Sequence, residues 1–118
     1  MAKIKVNPVH QVAAERFDDP SGAFRVEKRV VIGEKEGAKG FIMRVFSVEP
    51  GGYSPYHRHD WEHEVIVLRG KGEVVTEEGP ICVEERTAVF VPANAVHQFR
   101  NTGEETFEFV CVIPAHGQ

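Results

Sequence analysis

Four histidines stand at spacings that suit the ligands of a metal ion. His57, His59 and His63 lie within seven residues and share one parity, and His97 follows in a second segment punctuated by Pro and Asn. Alternate residues of a β-strand face the same side, so in an extended chain the first three imidazoles point one way. Four converging imidazoles suit a divalent first-row metal such as Mn, Fe, Co, Ni, Cu or Zn. The pattern predicts a metal site, although any one of these histidines alone is more often a surface or core residue.

A second interpretation of the same stretch is a zinc peptidase. Residues 59–63 read HDWEH and match the H-x-x-E-H pattern of the inverzincins, which need both histidines on one helix face. The segment follows Ser54-Pro55 and runs directly into the strand-like residues 65–68, which leaves little room for a helix. We therefore favour the extended conformation.

The elements that must position the histidines are predicted as short strands. Residues 24–32 alternate apolar and charged side chains, which indicates a half-buried strand, and residues 41–48 are apolar enough for a strand buried on both faces. Residues 49–52, Glu-Pro-Gly-Gly, are expected to end that strand. No helical period is sustained, so the chain is predicted to be an all-β sandwich or barrel. Further strands are predicted over residues 65–68, 73–77, 81–84, 87–91, 96–100 and 106–113.

Length and charge restrict the class of protein. The 118 residues fit one domain, which we divide into an N-terminal arm with one short edge strand (1–23), a barrel (24–114) and a loose tail (115–118). A net charge of −4 argues against nucleic acid or an anionic membrane as partner. We find no signal peptide, and the two cysteines are expected to stay reduced in a cytoplasm.

Two stretches carry a family resemblance. The segment from Gly51 through His57 and His59 to Gly70 resembles the first motif of the cupin superfamily, G-x5-H-x-H-x3-4-E-x6-G. A later segment resembles the second motif, G-x5-P-x-G-x2-H-x3-N, at Arg86, Pro92, Asn94, His97 and Asn101. The resemblance covers most of the chain and implies a single-domain cupin-type β-barrel, also called a double-stranded β-helix or jelly roll.

The chain departs from these motifs at three positions. His63 stands in the register where the family has Glu, and Glu64 suits the longer spacing variant. Glu64 points opposite to His57 and His59 in a regular strand, so parity favours His63, whereas a bulge would favour Glu64. Asn94 replaces a glycine whose left-handed conformation it is able to adopt, and Arg86 implies a different bend.

The ligand set and assembly follow from the resemblance. The chain looks like the small cupins that hold a metal, often manganese, with four histidines; here these are His57, His59, His63 and His97. The resemblance also implies a homodimer. Because ligation requires unprotonated imidazoles, we expect metal affinity to fall as the pH drops through about 6.5.

Related cupins suggest a metal-dependent oxidoreductase, dioxygenase-like, that acts on a small molecule inside the barrel. The alternatives are a metal-dependent isomerase, epimerase or lyase with a Glu or Tyr acid/base in the pocket, and a non-catalytic binding module. Candidate catalytic side chains are Arg44 and Cys111. Cys111 shares its parity with Phe107, Phe109 and Ile113, which we expect to face the barrel interior. No P-loop, dinucleotide fingerprint or serine elbow is present in the sequence, so no organic cofactor is predicted.

Overall fold

Nine β-strands make up most of the structure, a computed structural model that describes residues 2–117. The all-β prediction is confirmed. The helical elements are three short 3-10 turns, Val9–Gln11, Glu34–Glu36 and Ala115–Gly117, and no helix within residues 2–117 has the length and apolarity to cross a membrane. The strands are β1 Glu15–Asp18, β2 Phe24–Ile32, β3 Phe41–Tyr53, β4 His63–Arg69, β5 Lys71–Thr76, β6 Gly79–Glu84, β7 Ala88–Val91, β8 Gln98–Arg100 and β9 Phe107–Pro114.

The strands pair antiparallel in one curled sheet whose order is β6-β5-β8-β3-β9-β4-β7. β2 lies along β3 and carries β1 on its other edge. β3 is the organising strand, since it pairs with β2, with β9 and, at its end, with β8. Met1 of the predicted arm and Gln118 of the predicted tail lie outside the described residues, and Ala115 donates its backbone N–H to the carbonyl of Gly40 (3.0 Å).

Strand β3 is longer than its sequence predicts. The Pro-Gly-Gly segment predicts an end after residue 48, but pairing resumes at Tyr53, opposite Phe24. Gly51 adopts a positive φ of 84°, which absorbs the irregularity as a bulge. The backbone of Asn101 forms hydrogen bonds with both glycines of this segment. Its carbonyl accepts from Gly51 N–H (3.2 Å), and its own N–H donates to Gly52 O (3.0 Å).

The core lies on the inner face of the sheet. In β9 the buried residues are Phe107, Phe109, Cys111 and Ile113, so the predicted inward parity is confirmed. In β4 His63, Val65 and Val67 are buried while Glu64 is exposed. The expectation that β3 is buried on both faces is wrong at its start, where Phe41 is exposed on the outer side.

The fold predicts unequal costs for one truncation at two strand positions. Phe107 is 0% exposed and Phe41 is 70% exposed. Phe107→Ala removes a core ring and leaves a cavity, so we expect a loss of about 3–5 kcal/mol of unfolding free energy. Phe41→Ala serves as the control and should change it by less than about 0.5 kcal/mol. Urea unfolding followed by circular dichroism measures both, and equal losses would contradict the assignment of the core.

Candidate metal centre

Three histidines converge at one end of the inner face. His57, His59 and His97 each offer a ring nitrogen, and these atoms lie within 4.8 Å of one another. The backbones of His57 and His97 form a bridge with hydrogen bonds in both directions, 3.1 and 2.9 Å long. The bridge extends the pairing of β3 with β8 beyond the ends of both strands. Two distant segments of the chain thereby deliver their imidazoles to one place.

The route to this convergence differs from the predicted one. The sequence predicts a strand over residues 57–59 with both rings on one side, but only His57 pairs, and residues 60–61 form a bend. The two rings nevertheless approach to 4.1 Å between centroids. The bend is tied to the second segment by a hydrogen bond from Asn94 N–H to His59 O (2.6 Å). Strand parity therefore predicts correctly that the two rings lie together, although residues 57–59 do not form the predicted strand.

His63 lies beside this group at the start of β4. Its ring centroid is 4.8 Å from that of His59 and 5.1 Å from that of His97. Its Nδ1 is 3.1 Å from Cys111 Sγ, and its buried Nε2 has no hydrogen-bond partner within residues 2–117. A buried ring nitrogen without a partner next to three other imidazoles fits a metal ligand. Glu64 is exposed on the opposite face and does not fit that role.

The tautomer of His97 is fixed by the backbone carbonyl of Ala95. Its Nδ1 lies 2.9 Å from the carbonyl oxygen of Ala95. A carbonyl only accepts, so Nδ1 carries the proton and donates it, and Nε2 keeps its lone pair. This is the arrangement in which an outer hydrogen bond orients a ligating imidazole.

Burial keeps the imidazoles neutral. It lowers the pKa of His57 to about 4 and that of His63 to about 3, with smaller contributions from neighbouring histidines and from Arg44. The pKa values of His59 and His97 are lowered for the same first reason. All four rings are therefore neutral at pH 7, the form that binds metal. The expectation that protons compete near pH 6.5 is corrected, because these lowered pKa values move the competition to more acidic pH.

The histidines open on a cavity of about 240 Å³ with a mainly apolar lining. The indole of Trp61 stacks on His59 with 4.6 Å between centroids. The candidate catalytic residues Arg44 and Cys111 both line the cavity. The other lining residues are Phe17, Ala23, Val26, Lys28, Phe46, Ser54, Pro55, His57, His59, Trp61, His63, His97, Phe99 and Phe109.

Arg44, Cys111 and His63 form a chain of contacts behind the histidines. Arg44 and Cys111 stand opposite each other in the register of β3 and β9. Arg44 Nη2 donates to Cys111 Sγ at 3.1 Å, and the same sulfur contacts His63 Nδ1. Burial raises the pKa of the Cys111 thiol, and the nearby guanidinium partly opposes that shift. The thiol therefore stays protonated at neutral pH.

The sequence interpretation missed Lys28 as a cavity residue. Its position in β2 has the same parity as Val26, which is buried and lines the cavity, and as Val30, which packs against the core. A lysine at an inward position of a strand was therefore the signal that the sequence offered. The structure also gives the backbone conformation of the two residues that replace motif glycines. Asn94 adopts a positive φ of 67°, as predicted, but Arg86 also does so, at 66°, and the expected different bend is wrong.

Comparison with known proteins assigns the chain to a family. The Cupin domain family matches residues 44–113, and the protein belongs to it. A solved structure of the polyketide cyclase RemF from Streptomyces resistomycificus superposes with a TM-score of 0.88 and is 32% identical, over 96% of this chain and 80% of that one. The observed sheet is accordingly a cupin jelly-roll β-barrel.

Two curated relatives are also similar. The 1-methylthio-D-xylulose 5-phosphate methylsulfurylase of Rhodospirillum rubrum is 33% identical over 83% of this chain, and the glucose-6-phosphate isomerase of Pyrococcus abyssi is 29% identical over 91% of it. This chain spans only 62% and 55% of their respective lengths.

The centre predicts metal binding that depends on His57 and persists below pH 6.5. We expect the purified protein to bind one divalent ion at pH 7.5 and to keep it at pH 5.5, since the pKa of His57 in the folded protein is lowered to about 4. His57→Asn should weaken binding by more than the roughly 10–100-fold typical of outer-shell changes. ICP-MS after gel filtration measures occupancy. His10→Asn, an exposed histidine outside the centre, is the control.

The same pKa values give the metal-free protein a pH-dependent stability. The unfolded chain takes up protons on these histidines as the pH falls below about 6.5, whereas in the folded chain burial lowers the pKa of all four, to about 4 for His57 and about 3 for His63. Their contribution to stability is therefore complete above pH 6.5 and declines below it. Thermal unfolding followed by circular dichroism measures the effect, and a melting temperature that rises on acidification from pH 7 to pH 5 would contradict the lowered pKa values.

Proposed function

We propose that this cupin is a metal-dependent enzyme that converts a small enolisable molecule by redox-neutral chemistry, as an isomerase, lyase or cyclase. The observation that carries the proposal is the set of three histidine nitrogens within 4.8 Å at the wall of an apolar cavity. His57, His59, His63 and His97 would hold the ion, which we propose to be manganese. A bound divalent cation supplies Lewis-acid polarisation of a substrate oxygen.

The chain's own residues define what happens to the substrate. Apolar walls exclude water and strengthen each electrostatic contact in the cavity. Neutral imidazoles leave the charge of a bound cation undiminished, whereas a Glu ligand would lower it by one. Cys111, a protonated thiol in contact with Arg44 and His63, is a group that can exchange a proton at this wall.

The relatives support the redox-neutral reaction class. The three proteins described above are named a cyclase, a methylsulfurylase and an isomerase, and none of the three is named an oxidoreductase. Their substrates are not transferred to this chain, because one fold supports many chemistries.

A second candidate is the oxidoreductase, dioxygenase-like activity. One observation favours it: no described residue that lines the cavity is Asp, Glu or Tyr, so the acid/base expected for an isomerase is missing there. Oxidation at a metal needs no such carboxylate. In the redox-neutral proposal, proton transfer instead falls to Cys111 and the histidines.

A homodimer is part of the proposal. Ile66 on β4 and Phe90 on β7 are apolar but 44% and 59% exposed. Ile66 pairs with Val110 and Ala88, and Met43 on β3 adds a further exposed apolar side chain, so the outer face of β3-β9-β4-β7 carries an apolar patch beside the exposed Glu64. Exposed apolar patches of this kind mark association sites.

Oxygen dependence separates the two enzyme candidates. We expect the metal-loaded protein to convert one or more members of a library of enolisable and aromatic compounds under nitrogen in D₂O, with deuterium incorporation or a new product seen by NMR. Conversion should be lost in His57→Asn and kept in His10→Asn. Turnover only in air, with stoichiometric oxygen uptake at an electrode, would exclude the redox-neutral proposal and support the oxidoreductase. No turnover in either condition would support a binding module.

The assembly is tested by placing one charge on the apolar face. Ile66→Lys puts an ammonium in the proposed interface, and we expect sedimentation velocity to show a shift from dimer to monomer at micromolar concentration. Ile4→Lys is the matched control, because Ile4 is 93% exposed in the N-terminal segment before β1, outside that face. A wild-type monomer, or dimers retained in Ile66→Lys, would contradict the proposed interface.

A further inference from the structure

We infer that the cavity takes an organic anion, a small conjugated or aromatic carboxylate whose carboxylate is held by Arg44 beside the histidine centre. The inference deepens the proposed function, because the same cavity receives the substrate, and it specifies the substrate class. It rests on the unused donors of Arg44, the charge of the lining and the shape of the apolar walls.

Arg44 has donors that the described protein does not use. A guanidinium carries five N–H groups, and the only hydrogen bond from Arg44 within residues 2–117 goes to Cys111 Sγ. Its Nε is buried without a partner. Four arginines of the chain form ion pairs with carboxylates, namely Arg16, Arg25, Arg29 and Arg100. Arg44 contacts no carboxylate among the described residues. A half-buried cation with open donors is costly unless an anion joins it.

The guanidinium is held in place although it is unpaired. The phenyl ring of Phe46 lies 4.9 Å from its central carbon, and the Cys111 sulfur fixes one of its nitrogens. Both partners sit on the paired strands β3 and β9, which restricts the side chain to few rotamers. The planar fork is therefore preorganised for a planar carboxylate, which it can bind through two hydrogen bonds.

The lining as a whole favours negative charge. The chain carries a net charge of −4, yet the cavity is lined by two cations, Arg44 and Lys28, and by no Asp or Glu among the described residues. Lys28 is partly neutralised, with its ammonium 3.8 Å from the carboxylate of Glu15. Arg44 therefore contributes most of the positive potential, which focuses anions into a cleft with low-dielectric walls.

The walls determine the body of the ligand. Phe46 stacks on Phe109 and Phe109 on Phe99, with centroid separations of 5.4 and 4.7 Å. A volume of about 240 Å³ is below the usual range for drug-sized ligands, roughly 300–1,000 Å³. A flat body of one ring, or of a short conjugated chain, matches these aromatic surfaces. The few polar groups beside the histidines offer little to a highly hydroxylated sugar.

A matched pair of probes tests the inference without requiring turnover. Benzoate and benzamide have nearly the same shape and differ in charge. Trp61 is the only tryptophan and lines the cavity, so its fluorescence reports binding. We expect the purified protein to bind benzoate at least about tenfold more tightly than benzamide, as hydrogen bonds to a charged group predict. Equal affinities, or tighter binding of phenyl phosphate than of benzoate, would overturn the carboxylate assignment.

Variants locate the anion at Arg44. Arg44→Met should weaken benzoate roughly 10- to 100-fold and leave benzamide unchanged, while Arg69→Met, an exposed arginine outside the cavity, should change neither. Arg44→Lys keeps the charge and loses the fork, and it provides the comparison if Arg44→Met unfolds by circular dichroism. Unchanged benzoate affinity in the folded Arg44 variant would overturn the inference.

A further experiment distinguishes binding at Arg44 from binding at the histidine centre. Benzoate should still bind His57→Asn, because the inferred contact is the guanidinium. Loss of benzoate binding there, with Arg44→Met unaffected, would mean direct metal ligation and would overturn the inference. Failure of this binding test leaves the oxygen-dependence experiment informative, and failure to observe turnover leaves the binding result intact.

Discussion

The reciprocal backbone hydrogen bonds between His57 and His97 are the constraint on which the centre depends. They join a segment after β3 to a segment before β8, and each of the two segments thereby contributes one imidazole to the centre. The hydrogen bond from Asn94 to His59 O adds a second tie between the same segments. Because these are backbone contacts, the side chains remain available for ligation.

The cavity concentrates the polar groups that the fold leaves unsatisfied. Three buried side-chain nitrogens lack a partner within residues 2–117, on Arg44, Trp61 and His63, and all three residues line the cavity. Buried unsatisfied groups each cost about 1–3 kcal/mol, so their collection in one place indicates a site shaped for a ligand. The cost is offset by the dense apolar packing of β9 and β4 beneath them.

The same arrangement explains why the histidines and Arg44 coexist. A cation beside four imidazoles would be unfavourable if they were protonated, and burial with the guanidinium nearby lowers the pKa of His57 and His63. In the proposed function, the neutral imidazoles would hold the ion while Arg44 keeps its charge for an anion. Cys111 separates the two functions, since its sulfur contacts both Arg44 and His63. The difference in charge between the imidazoles and the guanidinium follows from their burial together in one wall of the cavity.

The sequence determined the all-β class and the sidedness of the regular strands. Period-two alternation placed His63 and Cys111 inward and Glu64 outward, because parity is a local property of an extended chain. Tertiary structure decided the rest. The bulge at Gly51 that continues β3, the left-handed bend at Arg86 and the convergence of rings from residues 57–59 depend on bonds to distant segments. Strand register alone brings Arg44 opposite Cys111, and register is set by pairing across the sheet rather than by neighbours in sequence.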